Sequence, residues 1–219
     1  MKKLFYLLAG VTLMAACKFK NNTGAALPIY GDRHAVTKTV NGQTVTDTVY
    51  ATIPPFKFIN QYGDSISDKN LDGKIYVTDF FFTSCPSICP VMQRNMLNVY
   101  NAFKADPGVK ILSFTIDPKY DSVKVLKKYA DKLGVAGNMW WFLQGNKDTT
   151  YSIARKNFLV AVNPDSTVRG GYVHQGYFVL VDKEKRVRGA YDGTNPEQVN
   201  QLVTDIKTLK AEPVPAANQ

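Results

Sequence analysis

Cysteine and histidine, the residues on which thiol and soft-metal chemistry depend, are scarce in this chain: Cys17, Cys85 and Cys89, and His34 and His174, among 219 residues. Any metal or thiol site must therefore be assembled from very few side chains. Acidic residues are outnumbered, 18 against 27 basic ones, for a formal net charge of +9. The positive charge is nevertheless dispersed, its longest cluster being Lys183 to Arg188, and no basic motif is interleaved with aromatics. This gives no footing for nucleic-acid binding. The one long apolar run, near the N-terminus, is too short for a membrane-spanning helix. No internal repeat is visible, and the hydrophobic fraction of 45% allows one sizeable core with appendages.

What the N-terminus does contain is an export pattern. Met1 to Ala16 carries two lysines, an apolar stretch and small residues directly before Cys17. Residues 1–16 are expected to be a signal peptide. The small residues followed by cysteine resemble a bacterial lipobox, with Met14 where leucine is commonest, so Cys17 is the expected lipidation site. Residues 17–27 would tether an exported, membrane-anchored body facing the periplasm. Spending Cys17 on lipid leaves Cys85 and Cys89 as the remaining thiols, outside the cytoplasm, where a dithiol needs a redox partner or a metal to stay functional.

Residues 28–58 read as a β-rich extension, with Asn41-Gly42 a strong hairpin signal between Thr39-Val40 and Thr44-Val45. The main domain is expected over residues 54–210. Its first core strand is the β-branched and aromatic run Lys74 to Phe82, of the kind buried on both faces. A helix with Met92, Met96, Val99 and Phe103 inward follows, then a strand from Val109 to Ile116. Asp121 is placed as the cap of the next helix, which Gly134 closes. Trp140 to Leu143 form a third strand, with a short helix from about Thr149 to Phe158. A hairpin of Tyr177–Val181 and Val187–Tyr191 precedes a last helix that begins at Asn195-Pro196, with Gln198 where a capping box needs it. Residues 211–219 are expected to be disordered. The order βαβαβα then ββα is an α/β, thioredoxin-like three-layer sandwich with an N-terminal β-hairpin extension. Its two cysteines sit where open α/β sheets place functional groups, at a strand's C-terminal end.

The run Thr83-Ser84-Cys85-Pro86-Ser87-Ile88-Cys89-Pro90 carries the chemistry. Pro90 fits a helix's first turn, and unpaired N–H groups at a helix start favour thiolate over thiol. Thiolates attack disulfides and bind soft metals, and both options are open to this pair. A purely structural bridge is unattractive, because closing so small a loop adds little stability. Asp79 stands in the middle of the apolar strand, on the face of Ile75, Val77 and Phe81, so burial should disfavour its ionisation. Thr78-Asp79-Phe80 also resembles the thioredoxin placement of a buried Asp six residues before the first active-site cysteine. Such a carboxylate either shuttles protons for the dithiol or is simply a satisfied core acid.

Thr83 to Pro90 matches the T-x-C-P-x-x-C-P signature of the Sco/SenC family without a gap. His174, in Tyr172-Val173-His174-Gln175-Gly176, stands where that family has a late histidine, and Thr115-Ile116-Asp117-Pro118 is similar to its S-x-D-P turn. The chain resembles this family over roughly Pro54 to Leu209. The resemblance implies a thioredoxin-fold copper chaperone attached to the membrane and involved in cytochrome oxidase assembly, with Cys85, Cys89 and His174 as copper ligands. Its implied partners are a cytochrome oxidase copper-binding subunit and other copper or thiol-redox proteins. The family often has an Asp directly before the histidine, whereas this chain has Val173. Two soft sulfurs and one imidazole suit Cu(I), and an added oxygen ligand would suit Cu(II).

Two functions therefore compete. The first is a metallochaperone that delivers copper to a terminal oxidase. The second is a thiol-disulfide oxidoreductase that reduces the cysteines of a copper-receiving partner, which Asp79 favours. Redox members of the fold usually carry C-x-x-C and a cis-proline before the late strand, and both are missing here. A peroxidase would need different groups around one cysteine. A zinc site formed by Cys85, Cys89, His34 and His174 would lack the two local ligand pairs usual in structural sites. His34 reads as a surface residue, Met92, Met96, Met139, Trp140 and Trp141 as packing, and Asp117 as a site-lining or capping group.

Overall fold

The computed structural model describes residues 26–212, apart from Asn41 and Arg169. The expected signal peptide, Cys17, most of the tether and the tail from residue 213 lie outside the described residues. In chain order the elements are β1 (Arg33–Val40), β2 (Gln43–Tyr50), β3 (Lys57–Ile59), β4 (Ser65–Ser67), β5 (Ile75–Phe81), α1 (Cys89–Phe103), β6 (Val109–Thr115) and α2 (Val123–Leu133). There follow β7 (Trp140–Leu143), α3 (Lys147–Lys156), β8 (Val162–Pro164), β9 (Tyr172–His174), β10 (Tyr177–Val181), β11 (Val187–Asp192) and α4 (Pro196–Ala211).

The run with the strongest apolar and β-branched character becomes the middle of the sheet. All residues of β5 are buried, as expected of a strand covered on both faces. The sheet order is β11-β10-β5-β6-β7. β5, β6 and β7 are parallel, while β10 runs antiparallel to both β5 and β11. This is the expected thioredoxin-like arrangement. Consecutive strand residues point to opposite faces, so Phe80 and Phe81 anchor two aromatic clusters. Phe80 stacks on Phe114 at 5.5 Å, and Phe114 meets Phe58 at 4.9 Å. Phe81 meets Phe142 at 5.6 Å and Tyr129 at 5.5 Å. Truncating any such ring would cost about 3–5 kcal/mol.

β1 and β2 pair in unbroken register from Arg33↔Tyr50 to Val40↔Gln43, and the hairpin is largely exposed. Gly42 supplies the positive φ, +79°, that its turn needs. From Ile53 onward the chain joins the core: Phe56 and Phe58, where extension and domain were expected to overlap, are both buried.

Helix starts follow side-chain chemistry, with two corrections. Asp121 does not cap α2; Ser122 does, accepting from the Val125 N–H at 3.4 Å. Asn195 caps α4 as expected, but Gln198 does not close a capping box: its Oε1 accepts from the Asp192 N–H at 2.7 Å, tying α4 back to β11. Gly134 closes α2 in the left-handed region, φ +72°. The third helix starts earlier than expected because Asn146 caps it, accepting from the Thr149 N–H at 3.0 Å.

The start of β11 is fastened to both ends of the described chain. Arg188, 3% exposed, donates to Asp182 at 3.0 Å and Glu212 at 2.9 Å, and to the carbonyls of Leu27 and Pro28 at 2.6 and 3.1 Å. The Leu27 N–H donates to Glu212 at 3.0 Å. A buried guanidinium is tolerable only when its donors are matched in this way.

Candidate metal centre

The site forms where β5 ends. The ladder between β5 and β6 closes at Phe81↔Thr115, and the next residues turn outward, with the Cys85 N–H donating to the Phe82 carbonyl at 3.2 Å. Cys89 is the first residue of α1 and Pro90 the second, where a missing N–H removes no helical bond. Cys85 therefore sits on the loop before the helix, and Cys89 on the helix itself. Both are free thiols and both are buried.

His174 arrives from a short hairpin. β8 and β9 pair antiparallel, with Val162 opposite His174. The loop between them closes onto the cysteine loop at Gly170, where φ is +99° and a Cβ would lie 3.0 Å from the Pro86 ring and 3.1 Å from the Phe82 ring. Only glycine meets both demands. Phe82 then packs edge-on against Tyr172 at 5.2 Å and His174 at 6.0 Å. His174 Nδ1 faces the Gln175 carbonyl oxygen at 3.4 Å. Nε2, the other ring nitrogen, turns to the thiols, 3.2 Å from Cys89 Sγ. One donor atom each from Cys85, Cys89 and His174 lie within 4.8 Å of one another.

The electrostatics distinguish the two sulfurs. The Cys89 S–H beside it holds the Cys85 thiol far below its ordinary range; burial opposes this and the His174 imidazole adds to it. Cys89 is pushed upward by the same pairing and by burial. The first proton therefore leaves Cys85, and the cluster holds one thiolate at neutral pH.

Beneath the thiols lies Asp79, completely buried. Ser113 donates to its Oδ1 at 2.5 Å and Gln93 Nε2 to its Oδ2 at 2.7 Å, while Trp140 Nε1 donates to Ser113 at 2.9 Å. Burial raises its carboxyl to about 6, against the pull of those hydrogen bonds. Gln93 is also fully buried, and its Oε1 meets no partner among the described residues. Sequence reasoning overlooked Gln93, although it stands one turn after Cys89 on the apolar stripe of Met92 and Met96. It also overlooked the role of Thr83 and Thr115, which both donate to the Asp121 carboxylate at the edge of the cysteine loop. Asp117 is half-buried and caps no helix; its carbonyl accepts from the Tyr120 and Asp121 N–H groups. His34 is exposed on β1, outside the cluster. Met92, Met96, Met139, Trp140 and Trp141 are core residues.

Residues 44–211 match the family described as SCO1/SenC. The SCO1 protein homolog of Bacillus subtilis (strain 168) is 32% identical over 170 residues, which cover 76% of this chain and 87% of that protein. Among solved structures, BsSco, described as a member of the Sco family of cytochrome c oxidase assembly proteins with a disulfide switch, is 31% identical. It superposes with a TM-score of 0.65 over 74% of this chain and 95% of its own. Yeast Sco1 with copper bound is 28% identical and superposes with a TM-score of 0.58, over 77% of this chain and 95% of its own. Family match, fold and the meeting of Cys85, Cys89 and His174 agree, and the chain belongs to the SCO1/SenC family.

Proposed function

We propose that this protein is a copper-binding metallochaperone that delivers copper to a terminal cytochrome oxidase outside the cytoplasm, holding the ion with Cys85, Cys89 and His174. The observation that carries the reading is the approach of two sulfurs and one imidazole nitrogen to within 4.8 Å of one another. Two soft sulfurs with one nitrogen satisfy Cu(I) in a three-coordinate site, and a site short of four ligands can pass its ion to another protein's ligands. The copper-bound yeast relative and the oxidase-assembly description of BsSco support the same metal and destination. The leader and Cys17 support export and a lipid anchor, with residues 17–27 as the tether to the body. Copper loading of the reduced protein, followed by absorption spectroscopy, tests the ligand set. A Cu(II)–thiolate charge-transfer band is expected in the unaltered protein and should vanish in His174→Ala; an unchanged band in that variant overturns the assignment.

A second reading is favoured by a specific observation, the buried Asp79 network under an unequal pair of free thiols. In that reading the Cys85 thiolate attacks a partner disulfide, and Cys89 then displaces the partner's thiolate to leave a Cys85–Cys89 disulfide. Asp79 would exchange the proton of Cys89. The disulfide switch described for BsSco supports it.

A further inference from the structure

Of the three converging side chains, Cys89 stands on a helix and His174 on a strand, whereas Cys85 stands on a loop. Something must hold that loop, and Asp121 is the group best placed to do so. It is completely buried, and it meets neutral donors: the Thr83 N–H at 3.1 Å and the Thr115 hydroxyl at 2.5 Å on Oδ2, and the Thr83 hydroxyl on Oδ1. Burying a carboxylate is costly unless its oxygens are matched, and the start of α2 does not require it, because Ser122 is the cap. The backbone at Asp121 is itself fixed, its N–H donating to the Asp117 carbonyl at 2.9 Å. Thr115 ends β6 and faces Phe81, the last paired residue of β5. One carboxylate thus joins the end of the sheet to both polar groups of Thr83, two residues before Cys85.

We propose that Asp121 is a positioning residue for copper capture: by gripping Thr83 it fixes where the cysteine loop leaves β5, and so holds Cys85 against Cys89 and His174. The role is geometric. Asparagine fits the same place, its carbonyl accepting from the Thr83 N–H and Thr115 while its amide donates to the Thr83 hydroxyl, which accepts equally well. Alanine keeps nothing.

The inference rests on the copper reading, so its test has two readouts on the reduced full chain. One is Cu(I) affinity by competition with a chromogenic chelator. The other is the equilibrium with glutathione disulfide, in which two protein thiols become the Cys85–Cys89 disulfide and two glutathione thiols are released; it reports the proximity of the sulfurs without any metal. Asp121→Ala is expected to weaken Cu(I) binding and disfavour the protein disulfide by about tenfold each, the scale of a lost hydrogen bond. Asp121→Asn should stay within about threefold of the unaltered protein in both. Thr83→Val, which removes the hydroxyl contact and keeps the N–H, should fall between, and should add nothing to Asp121→Ala in the double variant. A folded Asp121→Ala protein with unaltered copper affinity and glutathione equilibrium overturns the proposal, as does a fully additive double variant. If Asp121→Ala does not fold, Asp121→Asn matching the unaltered protein while Thr83→Val is weakened supports the proposal, and Asp121→Asn weakened more than Thr83→Val overturns it. If the unaltered chain takes up no copper, the copper reading fails by itself, and the glutathione equilibrium still decides the role of Asp121.

Discussion

Replacing Asp79 with asparagine is expected to make the protein more stable at neutral pH, by an amount that grows as pH rises. Burial lifts the carboxyl from 3.8 to about 6 in the folded chain. Each unit of such a shift is worth about 1.36 kcal/mol, so ionising Asp79 inside the fold costs about 3 kcal/mol relative to the unfolded chain. The folded state binds this proton more tightly. Its contribution to stability is therefore intact below about pH 4, declines as pH rises toward 6, and is lost above that. An asparagine side chain in the same place would carry no charge to desolvate. Its carbonyl would accept from Gln93, and its amide would face Ser113, whose hydroxyl oxygen has room for a second donor beside Trp140. Urea unfolding of the reduced, metal-free proteins between pH 4 and pH 8 measures the difference. The advantage of Asp79→Asn should widen by about 2.5 kcal/mol across that range, or about 5–10 °C in Tm. A difference that stays constant with pH, or narrows as pH rises, would refute the account of Asp79 as a carboxylate kept from ionising by its burial.

Two further outcomes follow from the same geometry. In the reduced, metal-free protein the rate of iodoacetamide alkylation at Cys85 should be nearly flat from pH 5 to 8, because the Cys89 S–H holds the Cys85 thiol far below the ordinary thiol range; peptide mass mapping should not find the roughly tenfold rise per pH unit of an ordinary thiol. Gly193→Ala would place a Cβ 2.6 Å from the Phe178 ring and 2.9 Å from the Gly176 carbonyl. It should lower unfolding stability by about 1–3 kcal/mol, and calorimetry showing no loss would contradict so close an approach of backbone and ring.

The sequence was most readable where one residue type dominates locally. The uninterrupted β-branched and aromatic run of β5, the 3.6-residue spacing in α1 and the Asn195-Pro196 start of α4 each announce an element from its own residues. The thiols were legible because the chain has only three cysteines and two of them stand four residues apart where a strand runs into a helix. What escaped depends on distant partners. β8 and β9 are three residues each, too short for alternation to show, and they exist because Gly170 lets their loop close on Phe82 and Pro86. Asp121 looked like a helix cap because Asp commonly is one, while its true partner, Thr83, is 38 residues away. Gln198 obeyed a local rule that a backbone N–H on β11 overrode. Gln93 was hidden among methionines, where a polar residue on an apolar stripe is the signal to look for a buried acid.

The Arg188 clasp sets a direction for the whole molecule. β10 and β11 place Val187 and Val181 beside the start of β5, and Tyr177 and Asp192 near its end, so the clasp and the thiols occupy opposite poles, separated by about 17 Å, the length of a five-residue strand. Leu27 and Pro28 lie at the far pole. The thiols and the imidazole thus stand at the end of the body opposite Leu27 and Glu212, the two residues that the clasp holds. An approach to the cysteine loop from its own pole therefore passes neither end of the described chain.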